Sequence, residues 1–435
     1  MRNNQILYLK DPKIFIKKLL IWSKQFSYTA VLLSNKSKED APTEYYKYDL
    51  ICGADSTDTC ILNSNPFFRF REWYNTLQDW AFGYFSYDLK DEIINSSSNK
   101  DFFYGDQGHF FCPKHLFLLL DNKLIFKSAS SDIEMKLIIN CINNIDINVS
   151  YELKPLNLRP RESKAEYFKK INIIQEHIQR GDVYELNYCN EFFDDNAIIN
   201  PEDIFLKLNE ETQAPFSTFL HLNHHYIISS SPERFMSKNK NKILSQPIKG
   251  TIRRGQNLKE DLILVEHLKN SQKDICENIM TADLVRNDLS RTAKKRSVKI
   301  KELCGIYTFQ YVHQMITTIT SELAKDYDSI DLIETTFPMG SMTGVPKRKA
   351  MELIDRYEEN SRGIFSGAIG YFTPEGNFDL SVVIRTILYN AEKKYLSISA
   401  GGAITARSKV EEEYNECMLK ISSILNVLKS EIHEK

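Results

Sequence analysis

The sequence lacks the signatures of several large classes of protein. Its eight cysteines are scattered and none forms a Cys-x-x-Cys pair, which argues against a zinc site or a disulfide framework and fits a reduced, cytoplasmic setting. No stretch approaches the ~18 uninterrupted apolar residues of a membrane-spanning helix. The formal net charge is only -2, so there is no basic excess that would favour nucleic acid as a partner.

Nucleotide-binding loops are also missing. The stretch "GSMTGVPK", residues 340–347, begins like a phosphate loop, but Pro346 stands where that loop needs a glycine before its lysine. No G-x-G-x-x-G motif occurs either. With Thr343 and Gly344 at its centre, the stretch could still bind an anion through backbone N–H groups and the Lys347 ammonium. Taken alone, a plain bend is the simpler interpretation.

Strand and helix patterns alternate along the sequence, but without the regular strand–helix–strand repeat that is typical of a parallel sheet. Ser163 and Glu166 form a capping-box pattern that predicts a helix start, and Ser408 and Glu411 form a second one before the terminal helix. A predicted hairpin around 374–376 favours antiparallel sheets covered by helices. The proline-containing stretch 153–163 is the best linker and divides an N-terminal region, 1–155, from a second region, 160–430.

Two pairs of acidic residues occur at helical spacing. Asp274 and Glu277 are three residues apart on one long helix predicted from about 260 to about 287, and Glu413 and Glu416 are three apart on the terminal helix. If the two helices faced each other, the four carboxylates would form an oxygen site suited to magnesium. Such pairs are more often solvated surface, and the spacing alone does not decide between the two.

Three titratable residues stand in strand-like or turn-like sequence. Lys249, in "QPIKGT", would be a nucleophile if burial kept its amine neutral, or a charge that reaches out to solvent. Glu233 follows a proline and would serve as a general acid or pair with the adjacent Arg234. His313, on a mostly apolar strand, is a catalytic group or a satisfied core histidine.

Arg385 occurs in "VVIRTIL", on a predicted central strand. A guanidinium among apolar residues must find an anion, because an unpaired buried charge costs several kcal/mol. A substrate carboxylate is one such anion. The stretch "SAGGA", residues 399–403, is a second place where the backbone could approach a ligand closely, although a bend explains it equally well.

Seven blocks in a fixed order resemble the chorismate-utilising enzymes, which include anthranilate synthase component I, aminodeoxychorismate synthase component I, isochorismate synthase and salicylate synthase. The blocks span about residues 163–428 and read "SSSPERF", "PIKGTIRRG", "ENIMTADLVRNDLSR", "FPMGSMTGVPKRKAMELI", "RGIFSGAIGYF", "VVIRT" and "SAGGAITARSKVEEEYNECMLK". The resemblance implies an α/β fold of the α+β type, in which two packed, mostly antiparallel sheets are flanked by helices.

The resemblance also implies roles for the residues singled out above. A magnesium ion would bind Glu277 and Glu416, with Asp274 and Glu413 as further acids. Glu233 would be the general acid, and His313 would lie near the ring of the substrate. The positions that match substrate contacts in the family are Gly250, Thr251, Thr343, Gly344, Lys347, Phe365, Arg385, Ala400, Gly401 and Gly402.

Lys249 distinguishes the members of the family. The aminodeoxychorismate synthases often read "PIKGT" and use this lysine as a covalent nucleophile, whereas most other members have alanine there. Glu185 stands where isochorismate-forming members carry a lysine that activates water. The chain is therefore most similar to aminodeoxychorismate synthase component I, whose product, 4-amino-4-deoxychorismate, leads to 4-aminobenzoate and folate.

That resemblance implies a partner, because the chain has no obvious glutaminase module. Ammonia would come from glutamine through a separate glutamine amidotransferase subunit, component II. Two alternatives remain at this stage. One is anthranilate synthase component I. The other is a non-catalytic, chorismate-binding scaffold subunit, which should have lost some of the residues found here.

Overall fold

The computed structural model of the chain describes residues 2–35, 47–94, 106–147, 151 and 153–433. Its α-helices are α1 Pro12–Ser23, α2 Pro66–Leu77, α3 Lys90–Ile94, α4 Asp132–Asn143, α5 Lys164–Gln179, α6 Pro201–Thr212, α7 Leu258–Asn270, α8 Gln272–Ser290, α9 Ser329–Thr336, α10 Lys347–Tyr357 and α11 Val410–Leu428. Its strands are β1 Asn3–Tyr8, β2 Tyr28–Leu33, β3 Leu50–Leu62, β4 Ala81–Phe85, β5 Gly108–Leu120, β6 Lys123–Ser128, β7 Arg159–Pro160, β8 Glu185–Asp194, β9 Phe216–Leu222, β10 His225–Ser231, β11 Arg234–Asn239, β12 Lys242–Gln246, β13 Ile248–Arg253, β14 Lys299–Thr308, β15 Val312–Glu322, β16 Gly344–Val345, β17 Ala368–Phe372, β18 Phe378–Val382, β19 Thr386–Asn390 and β20 Tyr395–Ile404.

These strands form two antiparallel sheets that share the long strands β3 and β5. The first sheet runs β1-β6-β5-β3-β2-β9-β10-β19-β20-β8. The second runs β3-β5-β4-β17-β18-β11-β12-β15, and β15 also pairs with β13 and β14. The two-residue strands β7 and β16 pair with β8 of the first sheet. Strand β5 belongs to both sheets because residues 108–111 pair with β4 and residues 115–120 pair with β6.

Burial on both faces of the first sheet holds the layers together. One apolar cluster lies between the sheets and includes Leu220 and Leu388 from the first and Phe82 and Phe372 from the second. Another packs the outer face of the first sheet against α1, α4, α6 and α11. Each fully buried Leu or Phe contributes roughly 1.5–3 kcal/mol relative to exposure.

The two sequence regions are joined by their sheets. Strand β2 of the N-terminal region pairs with β9, and β4 pairs with β17, both of which lie beyond residue 160. The boundary near residue 155 therefore does not separate two independent sheets, and the division into domains stays a prediction. Across the described ranges, no helix combines the length and the apolar character needed to cross a membrane.

Helix boundaries differ from the sequence expectation at two places that matter for the site. The predicted capping box at Ser163 is present and opens α5. The one predicted at Ser408 is wrong, because α11 begins at Val410 and the Ser408 hydroxyl accepts instead from the Thr405 N–H. The predicted long helix is two helices, since extended backbone at Ser271 ends α7 and starts α8.

This break places the first acidic pair near the start of a helix. The Ser271 hydroxyl caps α8 by accepting from the Asp274 N–H. Asp274 and Glu277 therefore occupy the first two turns of α8, which packs against β13 and β15. Glu277 lies close enough to Lys249 on β13 for the charge of each to affect the other.

Candidate active site

A cavity of about 120 Å³ lies where β8 and β20 of the first sheet face β13 of the second sheet. Helices α8 and α11 contribute one glutamate each to its wall. The predicted site residues that line it are Glu233, Lys249, Thr251, Glu277, Phe365, Arg385, Ala400, Gly401 and Glu416. Residues from all seven sequence blocks thus converge on one place, from elements far apart along the chain.

Lys249 and Glu185 form an ion pair beside this cavity. The Lys249 Nζ lies 2.8 Å from Glu185 Oε1, and only 11% and 5% of the two side chains are exposed. The other Glu185 oxygen is buried and has no hydrogen-bond partner among the described residues. The pair joins β13 to β8, so each sheet supplies one partner.

The charge on Lys249 differs from the sequence expectation. Burial by itself lowers its pKa, but the carboxylates of Glu185, Glu277 and Glu233 outweigh burial and raise the pKa above the ordinary value. Burial alone therefore does not keep this amine neutral, because three acids lie close to it. A reaction that uses Lys249 as a nucleophile must first remove its proton.

Glu233 is a buried carboxyl at the edge of the cavity. Burial raises its pKa to about 7, against the opposing effects of a hydrogen bond with Ser341 and of the Lys249 charge. It does not pair with Arg234, whose Nε donates to Asp379 at 2.9 Å. Near neutral pH a large fraction of Glu233 therefore keeps its proton, as a general acid requires.

Arg385 supplies a buried cation to the cavity wall. It lies in the connection between β18 and β19 rather than on a central strand, with a left-handed φ of 54°. Its guanidinium donates to the backbone carbonyl of Lys420, and burial lowers its pKa to about 10. A carboxylate entering the cavity would satisfy the remaining donors, and the β20 backbone at Ala400 and Gly401 lies along the same wall.

The acids Glu277 on α8 and Glu416 on α11 both line the cavity. Burial raises the pKa of Glu277 to about 7, and its Oε1 is buried without a hydrogen-bond partner in the described part of the chain. Glu416 pairs with Lys420 at 2.7 Å. Within the described residues there is no group of three or more metal-binding side chains. Two carboxylates nevertheless fit magnesium, which usually takes one or two from the protein and fills its other positions with water and substrate oxygens.

The second acid of each pair lies behind the cavity wall. Asp274 packs against Gly250, where a Cβ would come within 2.9 Å of the aspartate Cβ. Glu413 is buried and pairs with Lys273 at 3.4 Å, and its Oε2 lies near Gly402. Neither acid and neither glycine lines the cavity, so their predicted contacts with metal or substrate are indirect in this structure.

Comparison with known sequences decides the family. The sequence profile described as "chorismate binding enzyme" matches residues 30–426, a range that contains every element of the cavity. The chain belongs to the chorismate-binding enzyme family.

Curated members of the chorismate-binding family match about three fifths to two thirds of the chain. Aminodeoxychorismate synthase component 1 of Escherichia coli is 40% identical over 268 residues, which cover 61% of this chain and 58% of that protein. The probable chloroplastic aminodeoxychorismate synthase of rice is 38% identical over 291 residues, covering 66% and 32%. Anthranilate synthase component 1 of Aquifex aeolicus is 32% identical over 272 residues, covering 62% and 54%. The chain thus spans about a third to three fifths of these relatives.

Solved chorismate-binding enzymes share the fold over almost the whole chain. Anthranilate synthase component I of Streptococcus pneumoniae superposes with a TM-score of 0.78 at 21% identity, covering 89% of this chain and 95% of that one. The menaquinone-specific isochorismate synthase of Escherichia coli gives 0.77 at 16% identity, covering 98% and 94%. The predicted fold of two packed antiparallel sheets flanked by helices is confirmed.

The predicted site residue His313 does not line the cavity of this chorismate-binding enzyme. Its side chain is buried, its Nε2 lies 2.9 Å from Asp261, and its Nδ1 lies 2.9 Å from the Thr308 hydroxyl. Both ring nitrogens therefore have partners outside the cavity, and the role of His313 near the substrate ring stays a prediction. Its neighbour Gln314 lines the cavity instead, with a buried amide oxygen that has no partner among the described residues.

The loop expected to bind an anion also lies outside the cavity. Lys347 pairs with Asp288 at 2.6 Å and donates to the Thr336 carbonyl, so its charge is already balanced. Thr343 is buried and bonds within its own turn, and Gly344 pairs with β8. Only the start of this loop reaches the cavity, through Ser341 and Met342.

Sequence reasoning missed five polar residues of the cavity besides Gln314. They are Asn187, Lys273, Ser341, Ser399 and Lys420. Asn187 donates to the Ser341 carbonyl, and Lys420 donates to the Gly401 carbonyl at 2.7 Å. Gln314 could have been predicted. Successive side chains of a strand face opposite sides of the sheet, so only one of the adjacent polar residues His313 and Gln314 can face the cavity. The others carry no local signal.

Proposed function

We propose that this chain is aminodeoxychorismate synthase component I, which converts chorismate and ammonia to 4-amino-4-deoxychorismate. The observation that carries the proposal is the buried Lys249–Glu185 pair at the cavity. A lysine held there with a proton acceptor suits a covalent step rather than direct attack by water. The relatives named as aminodeoxychorismate synthases, at 38–40% identity, support formation of 4-amino-4-deoxychorismate over formation of anthranilate, since the anthranilate synthase relative is 32% identical.

Substrate binding would use the charges of the cavity wall. Arg385 and the β20 backbone would bind one carboxylate of chorismate, and Thr251 would contact the substrate from β13. Glu277 and Glu416 would hold a magnesium ion, which supplies positive charge against the ring carboxylate. Lys273 and Lys420 balance the two acids in this structure.

The first half-reaction would attach lysine and remove water. Glu185 accepts a proton from the Lys249 ammonium, and the neutral amine forms a bond to C2 of the ring. The ring double bonds shift towards C4, whose hydroxyl leaves as water with a proton from Glu233.

The second half-reaction would reverse this with a different nucleophile. Ammonia forms a bond to C4, the double bonds shift back, and the bond between C2 and Lys249 breaks. Glu233 takes a proton from the new amine, and Glu185 returns its proton to Lys249. The sum is chorismate plus ammonia to 4-amino-4-deoxychorismate plus water, with the enol-pyruvyl group retained.

Ammonia would be supplied by a glutamine amidotransferase partner. Relatives carry the designation component 1, which implies a second component for those proteins. We extend this to the present chain, with free ammonia as a slower substitute.

A coupled assay tests the proposed reaction. The chain is incubated with chorismate, magnesium chloride and ammonium chloride, and a lyase specific for aminodeoxychorismate is then added. We expect 4-aminobenzoate only after the lyase. Anthranilate formed without the lyase would establish the anthranilate synthase alternative, and no turnover with either nitrogen source would leave the scaffold alternative.

A second experiment tests the covalent step. Intact-mass analysis of the chain with chorismate and no ammonia should show an adduct on the wild type and none on Lys249→Ala. The matched control is Lys170→Ala, which removes a lysine from another buried ion pair, that with Glu162 at 2.6 Å. The nucleophile role is wrong if Lys249→Ala retains full activity.

A further inference from the structure

Strand β13 carries Lys249 on a β-bulge. Between the paired residues 248 and 251 of β13, Lys249 and Gly250 together face one residue of β15, Met315. Gly250 has a left-handed φ of 91°, which a residue with a side chain rarely adopts. A bulge bends its strand and changes the direction of the side chains on it. Whatever fixes this bulge therefore also fixes where the Lys249 amine can reach.

The side chain of Asn278, on α8, bonds to both sides of the bulge. Its Nδ2 donates to the Lys249 carbonyl at 3.3 Å and to the Met315 carbonyl at 3.0 Å. An amide nitrogen carries two hydrogens, so one side chain can serve both acceptors. Asn278 is buried, and bulk water therefore does not replace these bonds if the amide is removed.

The orientation of this amide is fixed from its other end. Asn278 Oδ1 accepts a hydrogen bond from the Thr317 hydroxyl and lies 3.6 Å from the Cys304 Sγ. Thr317 is fully buried on β15, and its hydroxyl oxygen accepts from the Cys304 N–H at 3.0 Å. Donors surround Oδ1 and acceptors surround Nδ2, so the reversed position of the amide would break the network.

A second contact from α8 holds the glycine half of the bulge. Asp274 lies one turn before Asn278, so the two side chains share a face of the helix. A Cβ on Gly250 would lie 2.9 Å from the Asp274 Cβ, so the helix packs closely on the bulge. Glu277 of the same helix lines the cavity together with Lys249. The helix that carries this acid therefore also holds the Lys249 backbone.

The backbone of Lys249 gains importance during the proposed reaction. In the resting chain, the ammonium is held by its ion pair with Glu185 at 2.8 Å. Once the proton has moved to Glu185, both groups are neutral and this attraction is lost. The neutral amine is then directed by its own side chain, which extends from the backbone that Asn278 holds. Displacing a reacting group by about 1 Å can cost about 10²-fold in rate.

We propose that Asn278 is a positioning residue for Lys249, which holds the bulge so that the neutral amine reaches C2 of chorismate. This role rests on the proposed covalent step and adds a residue that acts on that step without touching the substrate. Asn278 does not line the cavity, so it acts through Lys249. Its removal should therefore slow adduct formation and leave chorismate binding at Arg385 and the β20 backbone unchanged.

The first test measures adduct formation directly. Rapid quenching and intact-mass analysis follow the adduct over a range of chorismate concentrations, with magnesium chloride and no ammonia. For Asn278→Ala we expect the maximal rate to fall by about tenfold or more, while the chorismate concentration at half the maximal rate stays within about twofold of wild type. A loss of rate without a loss of apparent affinity is the result expected of positioning.

The matched control is Asn390→Ala, on β19. Asn390 is buried to the same degree as Asn278, and its side chain bonds with His225 at 2.8 Å and with the Lys393 N–H at 2.9 Å. It does not line the cavity. The control should lower the melting temperature by an amount similar to that for Asn278→Ala and keep the wild-type adduct rate. An equal fall of the adduct rate in both variants would contradict a specific role for Asn278.

Thr317→Val guards against misfolding of Asn278→Ala. It removes the hydroxyl that orients the amide and leaves Asn278 in place. We expect adduct formation to slow by about threefold or more, because a single hydrogen bond to the positioning residue is lost.

A binding measurement separates positioning from an effect on the substrate site. No adduct should form on Lys249→Ala, so calorimetric titration with chorismate gives a true dissociation constant for that chain. Adding Asn278→Ala to it should change Kd by less than about twofold, because the residue through which Asn278 acts is already absent.

Three results would overturn the role of Asn278. Adduct formation within twofold of wild type in both Asn278→Ala and Thr317→Val would refute it and leave the covalent step intact. A Kd that rises by more than about fivefold in the double variant would show that Asn278 shapes the substrate site itself. A wild-type chain that forms no adduct would refute the proposed covalent step, and the positioning role with it.

Discussion

Replacing Glu185 by glutamine tests whether this residue takes the proton of Lys249 or only holds its charge. Coulomb's law for the 2.8 Å pair gives about 6 kcal/mol at an effective dielectric constant of about 20. Losing this attraction lowers the pKa of Lys249 and favours the neutral amine. If holding the charge were the only role of Glu185, Glu185→Gln would therefore form the covalent adduct faster than wild type.

We expect the opposite. Without an adjacent acceptor, the buried ammonium must lose its proton to solvent, and adduct formation should slow by about 10²-fold or more, the lower end of the range for general acid–base groups. That factor corresponds to about 2.7 kcal/mol of barrier. Rapid quenching followed by intact-mass analysis, with chorismate and no ammonia, measures the rate directly.

The control for this variant is Glu191→Gln on the same strand. Glu191 is buried to a similar degree, but its partner is Arg161 at 2.8 Å, which does not line the cavity, whereas the partner of Glu185 is the cavity residue Lys249. Its loss should lower the melting temperature by an amount similar to that for Glu185→Gln and leave the adduct rate near wild type. An adduct rate in Glu185→Gln equal to or above wild type would refute the proton-acceptor role.

Three further variants test the rest of the site. Burial raises the pKa of Glu233 to about 7, so between pH 4.5 and pH 7 the folded chain retains a proton that the unfolded chain has lost. The free energy of unfolding of wild type therefore falls as the pH rises through this range. Glu233→Gln should thus gain up to about 3 kcal/mol relative to wild type between pH 4 and pH 8 in urea unfolding, while its turnover falls by about 10²-fold. A gain that is the same at both pH values would contradict the raised pKa. Arg385→Ala should raise KM for chorismate by roughly 10–100-fold, with partial recovery in Arg385→Lys, and an unchanged KM would place the carboxylate elsewhere. Magnesium chloride should raise the melting temperature of wild type and of the exposed control Asp283→Asn but not of Glu277→Gln, and equal shifts in all three would exclude Glu277 as a ligand.

Local sequence rules succeeded where a structural feature depends on neighbouring residues. The capping box at Ser163 starts α5 because its two side chains bond reciprocally within one turn. Glu277 and Glu416 lie at helical positions that the spacing indicated. The rules failed at Ser271, where an extended residue divides one apparent helix into two, because apolar periodicity continues across the break.

The assignment of His313 shows why adjacent residues are hard to separate. A strand turns successive side chains to opposite faces, so only one of His313 and Gln314 can enter the cavity. The sequence does not say which face of β15 packs against α7. His313 lies on that face, where it bonds with Asp261 of α7 and does not reach the cavity. The position of Lys347 was equally hard to predict. Its partner Asp288, which holds it outside the cavity, lies 59 residues earlier in the chain.

The order of seven motifs along the chain determined the family, and with it the fold, without any tertiary information. The identity of residue 249 as lysine determined which member reaction to propose, because no other residue at that position could supply an amine. Only the tertiary structure decided the charge that Lys249 carries. Its pKa depends on Glu185, Glu277 and Glu233, which come from three separate elements, and electrostatic interaction depends on distance in space rather than on separation along the chain.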